Sequence, residues 1–316
     1  MLHLRIIVPT DRRDEVVEML SDDVAVTHLV VLPGAAREPR GDVVLCDVAR
    51  EGADAVLQRL RDLGIEKSGA VAVDSVDVSL SESARLAAKA APGHGTDAVV
   101  WDEIAHKTGE ETRLTVTFLL LITAATMIAG IGVLLDQPIL IVGAMVVSPE
   151  FGPLAALCVA LVRWRTWIIR RSLAAVVVGF LVAMVVTIVS TWGLTALGLV
   201  SEADLVKPRP LTDFIWRPDA LSWVVASLAG IAGILSLTSN KSGSLVGVLI
   251  SVTTVPAAAN AAVALAYGVV HEAVGSAIQL SINFTAIVTA GVLTLLVQRL
   301  WWRRVHAAQR EAAGAG

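Results

Sequence analysis

Two cysteines, one tyrosine and five phenylalanines are all that the 316 residues contain of these types, and the scarcity excludes several protein classes. Cys46 and Cys158 fall in different settings, a valine-rich strand and an apolar segment, so neither a disulfide framework nor a thiolate metal site is expected. Both read as small buried hydrophobes. No metal-ligand cluster and no glycine-rich phosphate loop is present, so no cofactor is expected. Only 17% of residues are charged, the net charge is -4, and no Lys/Arg stripe appears outside the loops between apolar segments, which argues against a nucleic-acid partner. Residues 1–9 form a short alternating run without a small-residue cleavage site after a long apolar core, so no signal peptide is expected and the N-terminal region should stay in the cytosol.

Apolar residues are what the chain has in excess, at 55% of the total and a mean hydropathy of +0.71. They are unevenly placed. Residues 1–113 have the charge content of a soluble protein and most of the remainder is apolar, which predicts a membrane domain behind a soluble one.

In the soluble part, strand alternation over 2–8, 25–32, 42–48 and 69–78 and helical spacing over 11–20 and 52–63 give the order βαββαβ. This is the order of a ferredoxin-like α+β sandwich, with two helices covering one face of a four-stranded antiparallel sheet, expected for residues 1–80. The uncovered face calls for a partner, and a homo-oligomer is expected. Residues 81–113 read as a linker broken at Pro92-Gly93-His94-Gly95. Within it, 98–106 suits an amphipathic helix at the membrane surface, with Val99, Val100, Trp101 and Ile104 on one side.

Residues 114–304 read as a six-helix membrane domain, with crossings at 114–135, 138–162, 172–194, 221–239, 245–269 and 273–300, followed by a disordered tail over 305–316. The 163–171 loop carries four arginines, Lys241 lies in the next such loop, and Arg299, Arg303 and Arg304 follow the last span. By the positive-inside rule these loops and both termini are cytoplasmic. The turns near Asp136, His271 and Glu272 and the loop over 201–219 are then outside. All eight tryptophans fall at or near the expected membrane boundaries.

The second half of this domain echoes the first. Ile128-Ala129-Gly130-Ile131 matches Ile231-Ala232-Gly233-Ile234, and after a one-residue slip Val142-Gly143 matches Val246-Gly247 and Val159-Ala160-Leu161 matches Val263-Ala264-Leu265. Three crossings per copy invert the second copy, giving a 3+3 inverted repeat with its pathway at the interface of the halves.

Both second crossings carry prolines and are expected to be broken helices. The first break is Ser148-Pro149-Glu150-Phe151-Gly152-Pro153. Proline frees carbonyls in a medium without water, and an intramembrane carboxylate costs on the order of 3 kcal/mol, so the break must face protein or a wet cavity. Glu150 is the leading candidate for a coupling or substrate group; the plainer alternative is a helix cap. Ser251, Thr253, Thr254, Pro256 and Asn260 supply the counterpart, with Pro256 expected to free the carbonyl of Val252, and Asn283 joins from the polar run of the sixth crossing. Ser148, Pro149, Glu150, Gly152, Pro153, Thr253, Thr254, Pro256, Asn260 and Asn283 are thus the expected ion or substrate pathway. Interhelical hydrogen bonding is the plainer account of the polar run around Asn283.

The segment DAVVWDEI at 97–104 and the run DQPILIVGAMVVSPEFGPLAAL at 136–157 resemble the bacterial and archaeal membrane family catalogued as domain of unknown function 389. The resemblance covers about residues 97–300 and implies a multi-pass protein of the bacterial cytoplasmic membrane; it carries no activity, cofactor or binding residue. The function expected from the residues is a transporter or channel for a small ion or polar solute, partnered by the lipid bilayer. Glu150 without an intramembrane lysine or arginine favours a cation or proton coupling. The alternative is a membrane-anchored sensor or assembly protein whose ferredoxin-like domain binds a ligand or partner. An enzyme is not expected, since no serine/histidine pair, aspartate pair or metal cluster occurs in the spans.

Overall fold

The computed structural model describes residues 1–76, 79–91, 104, 109, 112–239 and 253–314. The chain divides into two compact units, Met1–Glu103 with Leu300–Gly316, and Ile104–Arg299.

The first unit contains β1 (Leu2–Val8), α1 (Arg13–Ser21), β2 (Val26–Arg37), β3 (Arg40–Val48), α2 (Arg50–Asp62), the single turn α3 (Ile65–Ser68), β4 (Ala70–Ser75) and α4 (Glu82–Ala90). The sheet order is β2-β3-β1-β4 and every pairing is antiparallel, so the expected βαββαβ sandwich is present. Alternation decides which side is core. Leu2, Leu4, Ile6 and Val8 of β1 and Val44, Cys46 and Val48 of β3 are buried with Val16 and Leu20 of α1 and Val56, Leu57 and Leu60 of α2. The opposite face carries Ile7, Val43 and Leu45, with Val30 and Leu32 exposed at 44% and 43%.

Compact structure continues past residue 80. Ser81 caps α4, and Ala91 joins the core of the unit. Asp47 Oδ1 and Oδ2 lie 2.7 Å from His3 Nδ1 and His28 Nδ1, and His28 Nε2 lies 2.8 Å from Ser81 Oγ and 2.9 Å from Ser83 Oγ, which ties α4 to the strands. Burial pushes the Asp47 carboxyl up, but the hydrogen bonds and charges of His28 and His3 outweigh it and hold the group below its ordinary range. The expected amphipathic helix over 98–106 lies outside the described residues, Ile104 excepted.

The second unit is helical: α5 (Val116–Leu134), α6 (Pro138–Val147), α7 (Phe151–Val162), α8 (Thr166–Ala196), the short α9 (Glu202–Val206), α10 (Ala220–Thr238), α11 (Thr254–Ala266) and α12 (Val270–Gly314). Where six crossings were expected, four helices are long and apolar enough to cross a membrane: Val116–Leu134, Thr166–Ala196, Ala220–Thr238 and Val270–Trp301. The bent pair Pro138–Val147 and Phe151–Val162 makes a fifth if counted as one span, and Thr254–Ala266 is a shorter apolar helix. The first part of the fifth expected crossing, with Ser251 and Val252, falls outside the described residues. The expected disordered tail differs as well, since α12 runs to Gly314. His-Ala-Ala-Gln-Arg-Glu-Ala-Ala at 306–313 is rich in strong helix formers, which explains the continuation.

Packing in α8 is inverted relative to a water-soluble helix. Leu173, Val177, Leu181, Val185 and Val189 are exposed at a spacing of four, while Ser172, Ala175, Gly179, Ala183, Thr187 and Thr191 are buried. Val176 and Phe180 are buried as well, but a mostly small and hydroxyl-bearing inside with bulky aliphatic residues outside is the pattern of a helix solvated by lipid. Thr187 and Thr191 satisfy their hydroxyls internally, donating to the carbonyls of Ala183 and Thr187 at 2.8 Å.

The helices recur at a constant interval. Helices α5 and α10 are each 19 residues long and start 104 positions apart. Thr115 and Asp219, the residues before them, each accept a backbone hydrogen bond three positions on. Helices α8 and α12 also start 104 positions apart, and α7 and α11 end 104 apart. Both short helices close alike, with Trp164 N on Leu161 O and Arg165 N on Ala160 O matched by Gly268 N on Leu265 O and Val269 N on Ala264 O.

Candidate functional site

The break expected at 148–153 is present, and its local chemistry explains its shape. Helix α6 ends at Val147, α7 begins at Phe151, and the two axes differ by 54°. Pro149 has no amide to continue α6, whereas Pro153 is the third residue of α7, where an amide has no intrahelical acceptor and proline is tolerated. Gly152 lies beside it in the same turn. Pro256 is likewise the third residue of α11. It stands in α11 where Pro153 stands in α7; the residues before Thr253, where the expected break and the carbonyl of Val252 fall, lie outside the described residues.

The two starts meet. Glu150 is 2% exposed, and its Oε1 accepts a hydrogen bond of 3.0 Å from Thr254 Oγ1. Its Oε2 and the Ser148 Oγ, 4% exposed as a residue, lie buried beside each other without a well-formed hydrogen bond to any further described residue. Thr253, next to Thr254, accepts 2.9 Å from Asn283 Nδ2, and Asn283 Oδ1 accepts 3.3 Å from Gln279 Nε2. A polar chain therefore runs from α7 through the first residues of α11 to α12. Of the expected residues it joins Glu150, Thr253, Thr254 and Asn283, and it adds Gln279 of α12.

Asn260 belongs elsewhere. Its Oδ1 accepts 3.1 Å from Arg209 Nη1, and its Nδ2 donates 2.8 Å to Ser276 Oγ. Arg209 is 1% exposed and donates 2.5 Å from Nη2 to Glu272 Oε2. The expectation that no cationic side chain lies among the helices is thus corrected: the Pro208-Arg209-Pro210 loop carries one in. The loop is pinned by Asp136, which accepts from Thr212 Oγ1 at 2.9 Å and from the Leu211 amide at 3.5 Å. Trp216 packs edge-on against His271 at 5.5 Å. Asp136, the loop over 201–219 and the start of α12, expected as outer turns, thus converge at one end of the unit.

A cavity of about 220 Å³ opens beside the polar chain, lined by Thr253, Gln279 and Asn283, by the apolar Phe214, Leu221, Val225 and Ala226, and by Arg217, Asp219 and Ser222. At the carboxyl ends of the short helices, Trp192 Nε1 of α8 donates 2.8 Å to Ala266 O and Arg299 Nη1 of α12 donates 3.2 Å to Val162 O. Val162 and Ala266 are 104 positions apart. Among the described residues no group of three or more His, Cys, Asp or Glu side chains is placed to hold a metal ion, and Cys46 and Cys158 are buried and unpaired as disulfides.

Residues 145–289 match the family model described as "Domain of unknown function (DUF389)". Among curated proteins, an uncharacterized protein of Methanocaldococcus jannaschii is 22% identical over 213 residues, 66% of this chain and 64% of that protein, so the chain spans less than two thirds of the length of this relative. No solved structure matches the chain.

Proposed function

We propose, from the match of residues 145–289 to the model of the domain of unknown function 389 family and from the packing at Glu150, a membrane transporter or channel for a small ion or polar solute. The pathway runs between two inverted halves, α5 to α8 and α10 to α12, with α11 as the second part of a sixth, broken crossing. Cytoplasmic termini follow from the arginine-rich loops.

The hydrogen bond between Glu150 and Thr254 carries the reading. The two residues are 104 positions apart, the interval at which the helices recur. In a two-fold arrangement, equivalent positions touch each other only beside the axis, which is where inverted-repeat transporters hold their substrates. The reciprocal contacts of Trp192 and Arg299 on the carboxyl ends of the opposite short helices support the same symmetry. Burying a carboxylate with so few hydrogen-bond partners is costly unless something else visits it. Because Arg209 is neutralised by Glu272, Glu150 remains the carboxylate without a counter-charge at the break, which favours a cation or a proton.

Currents from purified protein in liposomes on a solid-supported membrane, under proton, sodium, potassium and magnesium gradients, test the proposal. A wild-type current lost in a normally folded Glu150→Gln variant supports it. Silence under every gradient removes ion movement and leaves a neutral-solute carrier or a membrane-anchored sensor.

A further inference from the structure

The turn between α7 and α8 gathers arginines without acids. Arg165, Arg170 and Arg171 fall at the start of α8, and the sequence has no Asp or Glu between Glu150 and Glu202. The side chains of Arg165 and Arg170 are exposed and make no ion pair or hydrogen bond among the described residues. Arg171 lies over the ring of Trp167 at 5.1 Å. Arg299, whose Nη1 donates to Val162 O, brings another guanidinium to the same end.

On α8 this cationic end continues the stripe of exposed aliphatic residues. Trp167, Arg170, Leu173 and Val177 follow one another at spacings of three and four, so they share one helix face, and all four are exposed. From Arg170 to Val189, the last valine of the stripe, is about 28 Å at 1.5 Å per residue, close to the roughly 30 Å of hydrocarbon in a bilayer. Seating the stripe in hydrocarbon therefore sets Arg170 at the level of the lipid phosphates. The far end of α8, from Trp192 to Ala196, carries no charge, so the two ends meet the two leaflets differently.

The backbone at this end is strained where its counterpart is relaxed. Trp164 is 84% exposed with φ 54°, a left-handed conformation that favours glycine. The residue 104 positions on, in the matching turn after α11, is Gly268 with φ 75°. The first copy thus places an exposed indole where the turn asks for glycine, and indole rings settle at headgroup level. The matching stretch 267–275 has no lysine or arginine and contains Glu272. Unpaired guanidinium groups beside exposed indoles, on a face that runs into lipid, suit a phosphate carried by a lipid.

We propose that this end of α7 and α8 binds an anionic phospholipid of the phosphatidylglycerol class, its phosphate held by Arg165, Arg170 and Arg171 and its acyl chains along Leu173, Val177 and Leu181. A zwitterionic headgroup carries its own cation, which the arginines repel, so net negative charge is what the patch selects. The proposal requires the membrane spans and not transport. Flux measurements leave it untouched, and its failure leaves the transporter reading standing.

The test follows the melting temperature of the full-length protein in a neutral detergent as dioleoylphosphatidylglycerol, dioleoylphosphatidylcholine or inorganic phosphate is added. A saturable rise with phosphatidylglycerol is expected, half-complete at a concentration at least about tenfold below that for the other two. Arg165→Gln combined with Arg170→Gln should raise that concentration at least about tenfold, while Lys207→Gln, in the loop before α10, should leave it within about twofold. High salt on the wild-type protein should erase the difference between the two lipids, a readout that holds even if the double variant fails to fold. Equal action of phosphatidylcholine or of inorganic phosphate overturns the proposal, as does an equal loss in Lys207→Gln. So does an unchanged response to phosphatidylglycerol in a folded double variant or at high salt.

Discussion

Glu150 and Thr254 sit at the starts of two short helices that end 104 residues apart, and they are joined across that same 104-residue interval by a 3.0 Å hydrogen bond. Replacing Glu150 by Gln keeps an oxygen to accept from Thr254 and removes the charge. The variant is expected to unfold within about 1 kcal/mol of wild type while cation-driven current falls at least about tenfold, a loss of about 1.4 kcal/mol. Paired thermal melts and current recordings check both halves of that statement. Equal loss of stability and current would make Glu150 a cap alone.

The Arg209 and Glu272 pair should behave as a buried ion pair. Arg209→Met strands a carboxylate at 5% exposure and is expected to cost about 3–5 kcal/mol, whereas Arg209→Met with Glu272→Leu should recover most of that loss. A double-mutant cycle by denaturant unfolding in detergent measures the coupling. A double variant as unstable as the two singles summed would contradict it.

Close approach of α10 and α12 depends on one missing side chain. A methyl group on Gly230 would stand 2.7 Å from the carbonyl oxygen of Ile287, a backbone atom that cannot turn aside. Gly230→Ala is expected to destabilise the helical unit by about 1–3 kcal/mol despite its better helix propensity. A melting temperature at or above wild type would show that the helices can separate there.

How far the sequence reveals this structure depends on how local the cause is. Valine alternation over Val44, Cys46 and Val48 exposes the strands, and Pro149 beside Glu150 exposes the break, because proline acts within one turn. Pro256 is ambiguous for the same reason, since proline both ends helices and starts them. Arg209 lies in the loop over 201–219, and its partners Asn260 and Glu272 are 51 and 63 positions away; no spacing rule connects a loop to two helices. Gln279 enters the polar chain only through Asn283, one helical turn further on, a link that a polar run by itself does not single out.

In the N-terminal unit, Asp47 provides a pH signature. A carboxyl held below its unfolded value contributes stability above that value and loses it as pH falls through the folded one. Asp47→Asn should therefore weaken the unit by about 1 kcal/mol or less at pH 7, given its half-exposed partners, with the difference shrinking as pH falls below the ordinary carboxylate range. Hydrogen exchange of the strands in wild type and variant, followed from pH 7 to 3, reads this directly. A gap that widens on acidification would contradict the assignment.

Cys46 should be chemically silent while the protein is folded. Burial first, and then the nearby Asp47 charge, push its thiol up to about 12, so the nucleophilic thiolate is scarce at pH 8. Iodoacetamide should label this position only after denaturation, by mass spectrometry of the peptide carrying it. Rapid labelling of the native chain would mean that the strand opens.

The anchoring of the two short helices has a mechanical consequence. Trp192 and Arg299 hold their carboxyl ends, while among the described residues their amino ends meet each other through one side-chain hydrogen bond, with Thr253 of the second also held by Asn283. Each helix is then a lever with its fulcrum at the far end. A 12-residue helix is about 18 Å long, so a tilt of roughly 10° swings its amino end by about 3 Å. A tilt of α7 by that much parts Glu150 from Thr254 while both carboxyl-end tethers and the Asn283 bond to Thr253 stay in place.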